Sequence, residues 1–330
     1  MNMRNLMIGI VLGILISVGG YFGKRIVQNY IYTQQTVSPI GKIFEKPLAK
    51  YTILNLSART YTGSQIVLDQ ATATTSAYTK YTFHFTSDGK KVTGVAHIPA
   101  GSGPFPVVVQ FRGYVDREKY FPGEGTQRSA EVFARNGFIS LAPDFLGYGG
   151  SDMPSQNVFE ERFETYIAAL SLLASVGTLP AADTSRVGIW GHSNGGQIAL
   201  TVLEVLGRSI PVTLWAPVTK PFPYSILYYT DDADDHGKML RRELAKFEED
   251  YDVELYALTT YLDRLVGPMQ THQGGGDDAV PQAWSDAFVK ALGDKREMQY
   301  FVYPGADHNM NGAWDTVINR DIIFFREYFK

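Results

Sequence analysis

A short segment in the middle of the chain constrains the fold more than any other. The strand-like residues 186–190 (Arg-Val-Gly-Ile-Trp) lead into the Gly-His-Ser-Asn-Gly segment 191–195, and residues 196–203 continue with helical character. A strand that enters a tight Gly-x-Ser-x-Gly turn and leaves it as a helix holds the central serine in a strained backbone conformation. Glycine on both sides lets the flanking backbone pass without a Cβ clash. The pattern predicts that the Ser193 hydroxyl is held above the edge of a sheet.

The bulk composition indicates a globular protein with a full core. Of the 330 residues, 45% are hydrophobic and 19% are charged, and the formal net charge is −4. Lysine and arginine do not cluster, so we expect no nucleic-acid partner. The chain has no cysteine, which excludes disulfides, thiolate metal sites and a cysteine nucleophile.

The first residues read as a membrane segment. Residues 6–23 (LMIGIVLGILISVGGYFG) carry no charge and are just long enough to cross a bilayer. No Ala-x-Ala-like cleavage site follows, so we interpret the segment as an uncleaved transmembrane anchor, with a cleaved secretory signal as the alternative. Basic residues flank both ends; we expect the bulk of the chain to be extracytoplasmic. Residues 24–77 are interpreted as a stalk with room for extra strands.

A regular pattern begins at residue 78. Tyr81, Phe83 and Phe85 alternate with polar residues, residues 87–90 are a hairpin-turn signal, and residues 92–98 alternate again, which predicts an antiparallel pair of strands. Nearly continuous apolar runs then alternate with helical stretches. The predicted later strands are residues 106–111, 137–142, 186–190, 212–216, 267–272 and 297–303, and the predicted helices include 129–136, 163–175 and 318–329. Residues 78–330 are therefore predicted to form an α/β domain with a mostly parallel sheet covered on both faces.

Residues 219–262 interrupt this alternation with prolines, a tyrosine-rich patch and an acidic run. A segment of this length within a domain is usually functional, so we interpret it as a lid over the site. A plain surface excursion is the alternative.

An activated serine needs a base, and the base needs a carboxylate that orients it. In sheets of this type the partners follow in the order nucleophile, acid, histidine. His308 is the one histidine that follows every late strand, so we predict that it is the general base. Two neighbouring aspartates, Asp277 and Asp278, follow the strand before it, and the residues alone do not choose between them.

The same site needs two backbone N–H groups to bind an oxyanion. One is predicted at Asn194, directly after the serine and at the start of a helix. The other is predicted in the loop after residue 111, with Tyr114 as the donor. Arg112 in this loop is either part of a structural salt bridge or a substrate contact. No metal or cofactor is implied.

Five segments of the chain resemble the α/β-hydrolase superfamily, namely residues 107–114, 137–152, 188–196, 274–281 and 303–309. Within it, the chain is similar to dienelactone-hydrolase-like esterases and to the catalytic domains of prolyl-oligopeptidase-type serine peptidases. The resemblance covers residues 78–330 and implies an α/β-hydrolase fold. It also selects Asp277, the leading residue of the family's Asp-x-x-Val-Pro pattern, as the acid, and it makes Asp144 structural.

The sequence departs from these relatives in two places. Many of them carry His-Gly where this chain has Arg112-Gly113. Large oligopeptidases carry a β-propeller before the hydrolase domain, whereas here only about 54 residues separate Gly23 from Tyr78. The resemblance thus implies a serine hydrolase that cleaves carboxylic esters of small molecules. The alternatives are a peptidase of short peptides and a non-catalytic binding protein on the same fold.

Overall fold

A single mixed sheet organises the computed structural model, which describes residues 46–230, 233–293 and 297–330. The sheet has nine strands within these residues. They are β1 (Val67–Thr74), β2 (Tyr78–Ser87), β3 (Lys90–Pro99), β4 (Phe105–Phe111), β5 (Ile139–Pro143), β6 (Ala182–His192), β7 (Val212–Trp215), β8 (Met269–Gly274) and β9 (Met298–Tyr303).

Helices fill the connections between the strands. In chain order they are α1 (Ile53–Ala58), α2 (Gln127–Arg135), α3 (Val158–Ser175), α4 (Asn194–Leu206), α5 (Tyr224–Leu227), α6 (Lys238–Asp250), α7 (Gln282–Leu292) and α8 (Trp314–Tyr328). Short 3₁₀ turns lie at Pro47–Tyr51, at Val176–Thr178 and between α6 and β8.

The strand order is β1-β2-β3-β5-β4-β6-β7-β8-β9. The first three pairs are antiparallel, and every pair from β5 to β9 is parallel. The predicted hairpin is confirmed, because Tyr78 pairs with Pro99 and Ser87 with Lys90 across a two-residue turn. Asp88 and Gly89 in that turn have φ of 48° and 78°, as a tight hairpin turn with the twist of its strands requires.

The core has two layers, one on each face of the sheet. Val107 and Val109 of β4 belong to one buried cluster, and Val108 between them belongs to the other, since successive side chains of a strand point to opposite faces. Helices α3 and α4 cover the first face, and α2 and α8 cover the second. The central strands β4, β5, β7 and β8 are thus buried on both sides, as their apolar residues predict.

The structure differs from the expected stalk at residues 48–77. The compact unit begins at Leu48 rather than at residue 78. Leu48 and Tyr51 are buried, α1 contributes Ile53 and Leu56 to the first core layer, and β1 extends the sheet beside β2. Of the segment interpreted as a stalk, the part from Leu48 onward is therefore an integral layer of the domain.

The segment interpreted as a lid is also anchored in the core. Phe222 and Phe247 are buried and pack against Phe159 and Phe163 of α3, with ring centroids 5.1–6.4 Å apart. The segment also contains helix α6. Aromatic packing of this kind fixes the base of the segment against the domain.

No helix among the described residues is long and apolar enough to cross a membrane. The predicted anchor, residues 6–23, lies outside the described part of the chain.

Candidate active site

The turn at Ser193 joins β6 to α4. Ser193 lies between His192, the last residue of β6, and Asn194, the first of α4, and has φ 55° and ψ −122°. Its N–H donates to the Trp215 carbonyl on β7 (2.9 Å), and its carbonyl accepts from the Gly196 N–H (2.9 Å). A non-glycine residue persists at positive φ only where its surroundings hold it. The predicted elbow is present, with Ser193 at its apex.

The two glycines of the elbow are required by close backbone contacts. A Cβ on Gly195 would lie 1.9 Å from the Phe111 carbonyl oxygen, and a Cβ on Gly191 would lie 2.7 Å from the Gly195 carbonyl oxygen. Real Cβ atoms do not approach other atoms so closely. The pattern that marked this turn in the sequence therefore has a steric cause.

The predicted acid and base meet at the same edge of the sheet. Asp277 follows β8 and His308 follows β9, and the His308 Nδ1–H donates to Asp277 Oδ2 at 2.9 Å. The Asp277 side chain is fully buried, whereas that of His308 is 18% exposed. Because Nδ1 is engaged by the carboxylate, the Nε2 atom is left as the basic nitrogen.

Backbone N–H groups fix the other oxygen of Asp277. Its Oδ1 accepts from Ala279 (2.9 Å) and Val280 (2.8 Å). Burial acts to raise the pKa of Asp277, but the hydrogen bonds from His308 and from these N–H groups outweigh it, so the pKa lies below its ordinary value. Asp278 is exposed, and among the described residues no hydrogen bond or ion pair joins it to His308. The geometry therefore favours Asp277 over its neighbour.

No hydrogen bond joins Ser193 to His308 in the part of the chain that the structure describes. Within the described residues they are linked through His192, whose Nε2–H donates to the His308 carbonyl (3.0 Å) and whose ring lies 4.8 Å from the His308 ring. Catalytic hydrogen bonds are often long before a substrate binds. The structure thus brings Asp277 and His308 into contact and places Ser193 beside them.

Two predicted oxyanion donors flank the serine. Asn194 is the first residue of α4, where the helix dipole favours negative charge. Gly113 in the loop after β4 packs against the elbow, since a Cβ there would lie 3.1 Å from the Ser193 Cβ, and Tyr114 follows it. Within the described chain, neither the Asn194 nor the Tyr114 N–H donates a hydrogen bond. Both are therefore available to a ligand oxygen.

Arg112 has a structural role that differs from both interpretations of the sequence. Its guanidinium is buried, donates to the carbonyls of Gly113 (2.9 Å) and Asp144 (3.1 Å), and lies over the rings of Tyr120 (4.5 Å) and Tyr148 (4.1 Å). Among the described residues Arg112 pairs with no carboxylate, and its side chain lies inside the fold rather than on the surface. Arg112 instead holds the loop that carries the Tyr114 N–H.

The histidine of strand β8 is part of the core. His272 is fully buried on β8 and bonds Tyr303 (2.8 Å) and Asp321 (3.0 Å). The same Asp321 accepts from the Trp215 Nε1–H at 2.8 Å. This network ties α8 to the strand whose Trp215 carbonyl holds Ser193.

Two supporting residues were not singled out in the sequence. His192, directly before the serine, holds the loop of the base. Gln273, the residue before the glycines of the acid loop, donates to Asp277 Oδ2 at 3.1 Å. His192 carries no local signal, because its partner lies 116 residues away in the chain, whereas Gln273 lies only four residues from Asp277.

Comparison with known proteins identifies the family. The prolyl oligopeptidase family model matches residues 125–330, which is more than half of the chain. A candidate dipeptidyl aminopeptidase of Schizosaccharomyces pombe is 29% identical over 174 residues, 52% of this chain and 20% of that protein. The chain therefore spans only a fifth of that relative's length.

Solved structures share the fold. Acetyl xylan esterase 1 of Thermoanaerobacterium sp. JW/SL YS485 has a TM-score of 0.62 at 19% identity, with 86% of this chain and 94% of that chain covered. A puromycin-hydrolyzing peptidase of Mycobacterium tuberculosis has a TM-score of 0.55 at 17% identity, with 81% and 39% covered. The predicted α/β-hydrolase fold and the predicted resemblance are both confirmed: this chain belongs to the prolyl oligopeptidase family.

Proposed function

We propose that this protein is a serine hydrolase that cleaves carboxylic esters through an acyl-enzyme, with Ser193, His308 and Asp277 as its catalytic residues. The observation that carries the proposal is the 2.9 Å contact between His308 and the buried Asp277, formed beside a serine held at φ 55°. A nucleophile, an oriented base and two free N–H donors at one sheet edge are the parts that acyl transfer requires.

In the first half of the reaction, Ser193 Oγ attacks the acyl carbon while His308 Nε2 takes the hydroxyl proton. The N–H groups of Asn194 and Tyr114 bind the oxyanion. Buried Asp277 stabilises the imidazolium cation through Nδ1–H. The C–O bond to the alcohol then breaks, and His308 gives its proton to the departing oxygen. Water repeats the sequence on the acyl-enzyme and restores the free serine.

Esters are the preferred substrates for two reasons. An alcohol leaves more readily than an amine, so ester cleavage asks less of the same residues. The esterase compared above is covered over 94% of its length, whereas the peptidase is covered over 39%. The family match and the Schizosaccharomyces pombe relative favour a second candidate, cleavage of short peptides.

The test measures the turnover of p-nitrophenyl esters and of peptide p-nitroanilides by the full chain in detergent. We expect ester turnover to exceed amide turnover; amide turnover without ester turnover would replace the first candidate by the second.

Ser193→Ala is expected to abolish both activities and labelling by a fluorophosphonate. Labelling that persists in this variant would refute the assignment of the nucleophile. Absence of labelling and turnover in the unaltered chain would support the non-catalytic alternative.

The proposal includes attachment to a membrane through residues 6–23, with the catalytic domain on the extracytoplasmic side. An arginine at the centre of such a segment costs roughly 2.5–3.5 kcal/mol of insertion free energy. We therefore expect Leu15→Arg to move the protein from the carbonate-resistant membrane fraction to the supernatant, while the control Gln28→Arg stays with the membrane. Release of both, or of neither, would count against the anchor. Protease added outside intact cells should digest the anchored domain.

A further inference from the structure

A tyrosine of the segment interpreted as a lid reaches the loop that carries the candidate acid. Tyr229 follows the short helix α5, and its hydroxyl donates to the main-chain carbonyl of Ala279 at 3.2 Å, across 50 residues of the chain. Ala279 lies in the acid loop, residues 275–281, two positions after Asp277. The contact therefore joins the segment 219–262 directly to the acid loop.

The carbonyl that Tyr229 binds belongs to the same peptide group as one of the N–H donors to Asp277. The peptide bond between Ala279 and Val280 is planar and trans, so the Ala279 carbonyl and the Val280 N–H lie in one plane and point in opposite directions. That N–H donates to Asp277 Oδ1 at 2.8 Å. A group that fixes the direction of the carbonyl therefore also fixes the direction of the N–H.

The hydroxyl, the peptide group and the carboxylate form one chain of hydrogen bonds. Because hydrogen bonds in a chain polarise one another, the bond from Tyr229 to the carbonyl makes the N–H of the same peptide a stronger donor. The other oxygen of Asp277, Oδ2, accepts from His308 Nδ1. The plane of the carboxylate, and with it the orientation of the imidazole, therefore depends on the hydrogen bonds to Oδ1.

A second side chain holds the acid loop from inside the domain. Gln273 is buried at the end of β8, donates to the Val280 carbonyl at 3.1 Å and accepts from the Ser285 hydroxyl on α7 at 2.7 Å. Gln273 thus fixes the peptide group after Val280, whereas Tyr229 binds the peptide group before it. The two side chains complement each other, one from the sheet and one from the segment interpreted as a lid.

Ring packing keeps Tyr229 beside the acid loop. The Trp284 ring on α7 lies 4.7 Å from the Tyr228 ring and 6.3 Å from the Tyr229 ring, and the two tyrosine rings are 5.1 Å apart. Burial raises the pKa of Tyr229, and Tyr228 and the charge of Asp277 raise it further. The hydroxyl therefore stays protonated and remains a donor at physiological pH.

We propose that Tyr229 is a positioning residue for the triad: it orients the peptide group between Ala279 and Val280 so that its N–H holds Asp277, and through Asp277 it sets the orientation of His308. The inference rests on the proposed function, because it concerns the acid of that reaction. Tyr229 acts through the carboxylate rather than on the substrate. The rate of the reaction then depends on how the segment interpreted as a lid lies against the acid loop.

The test compares two neighbouring tyrosines in the full chain in detergent. Tyr228 is 39% and Tyr229 43% exposed, but the Tyr228 hydroxyl makes no hydrogen bond within the described residues. One hydrogen bond of ordinary strength is lost in Tyr229→Phe, which should lower kcat for p-nitrophenyl acetate about fivefold and change KM by less than about twofold. Tyr228→Phe, the control, should leave kcat within about twofold. Equal losses in the two variants would overturn the proposal.

A merely structural role would lower the rate whether or not the acid is present. Asp277→Ala removes the carboxylate that accepts the Val280 N–H. If Tyr229 acts through that carboxylate, adding Tyr229→Phe to Asp277→Ala should change the residual rate by less than about twofold. A fivefold loss that persists in this background would contradict the positioning role.

A proton NMR signal separates this proposal from the proposed function. The proton between His308 Nδ1 and Asp277 Oδ2 lies in a charge-assisted hydrogen bond and resonates far downfield, and its loss in Asp277→Ala identifies it. Tyr229→Phe should shift this resonance, and Tyr228→Phe should not. A shifted resonance with no ester turnover by the unaltered chain would retain the positioning role and reject the hydrolase. Ester turnover with an unshifted resonance would reject the positioning role alone.

Discussion

The imidazole of His192 donates a hydrogen bond to the main-chain carbonyl of His308 at 3.0 Å, so the residue before the candidate nucleophile holds the loop that carries the candidate base. Burial, together with the neighbouring His308, lowers the pKa of His192 to about 4. His192 therefore stays neutral at physiological pH, and with Nε2 as the donor its proton is on the nitrogen that faces the carbonyl.

This contact predicts a loss of rate when the donor is removed. His192→Phe should keep the packing of the ring, lose the hydrogen bond and lower kcat about tenfold with little change in KM, because the loop of His308 becomes less well positioned. His192→Gln retains an N–H donor and should recover part of the rate. The measurement is steady-state kinetics on p-nitrophenyl acetate. A kcat of His192→Phe equal to or above that of His192→Gln would contradict the role given to the hydrogen bond.

The two neighbouring aspartates offer a matched pair. Asp277→Asn should lower kcat by roughly 10³–10⁴-fold, because an amide neither stabilises the imidazolium nor fixes its tautomer. Asp278→Asn changes an exposed carboxylate and should leave kcat within twofold. Asp278→Asn is expected to unfold at the same urea concentration as the unaltered protein, whereas Asp277→Asn changes a buried carboxylate that accepts four hydrogen bonds and is expected to unfold at a lower one. A large loss in the second variant would contradict the assignment of the acid.

The elbow glycines should be intolerant of alanine for a steric reason. In Gly195→Ala the new Cβ would meet the Phe111 carbonyl oxygen at 1.9 Å, so β4 and the start of α4 must separate. We expect at least a hundredfold loss of activity and a lower Tm. Gly177→Ala is the control, since its Cβ would make only an ordinary contact of 3.4 Å with Thr184. Thermal unfolding and ester turnover of both variants test the difference.

The parts of the site that the sequence predicted are those with a local signal. Ser193 is marked by glycines whose spacing has a steric cause, and His308 by its place after the last strand. The pairing of β2 with β3 was likewise predictable from alternation and a two-residue turn. Choosing Asp277 over Asp278 needed either the family pattern or the observed contact with His308.

The parts that were missed depend on contacts between distant residues. Leu48 accepts a hydrogen bond from the Tyr256 hydroxyl at 3.0 Å across 208 residues, and Tyr51 packs against Phe163. Periodicity within residues 24–77 carries no trace of those partners, so the segment resembled a stalk. Helix α7 was not predicted either, although the chain carries a local signal for it. Pro281 stands at its start, and its buried residues Trp284, Phe288 and Leu292 have helical spacing.

A buried histidine far from the site should control stability at acidic pH. His97 on β3 is 1% exposed, and neither of its ring nitrogens has a hydrogen-bond partner among the described residues. Burial, reinforced by the positive charge of Lys80 and opposed by Glu131, lowers its pKa from 6.5 to about 4. Below about pH 6.5 the unfolded chain therefore binds a proton at His97, whereas the folded chain binds it only below about pH 4.

The free energy of unfolding is therefore highest above pH 6.5 and falls as the pH drops toward 4. Between pH 7.5 and pH 5, protonation of His97 in the unfolded chain lowers the free energy of unfolding by about 2 kcal/mol. His97→Leu removes it, so the variant should gain about 2 kcal/mol relative to the unaltered protein on going from pH 7.5 to pH 5. Urea unfolding of both proteins at the two pH values measures this. An unchanged difference would mean that His97 is protonated in the fold, in contradiction to its burial without partners.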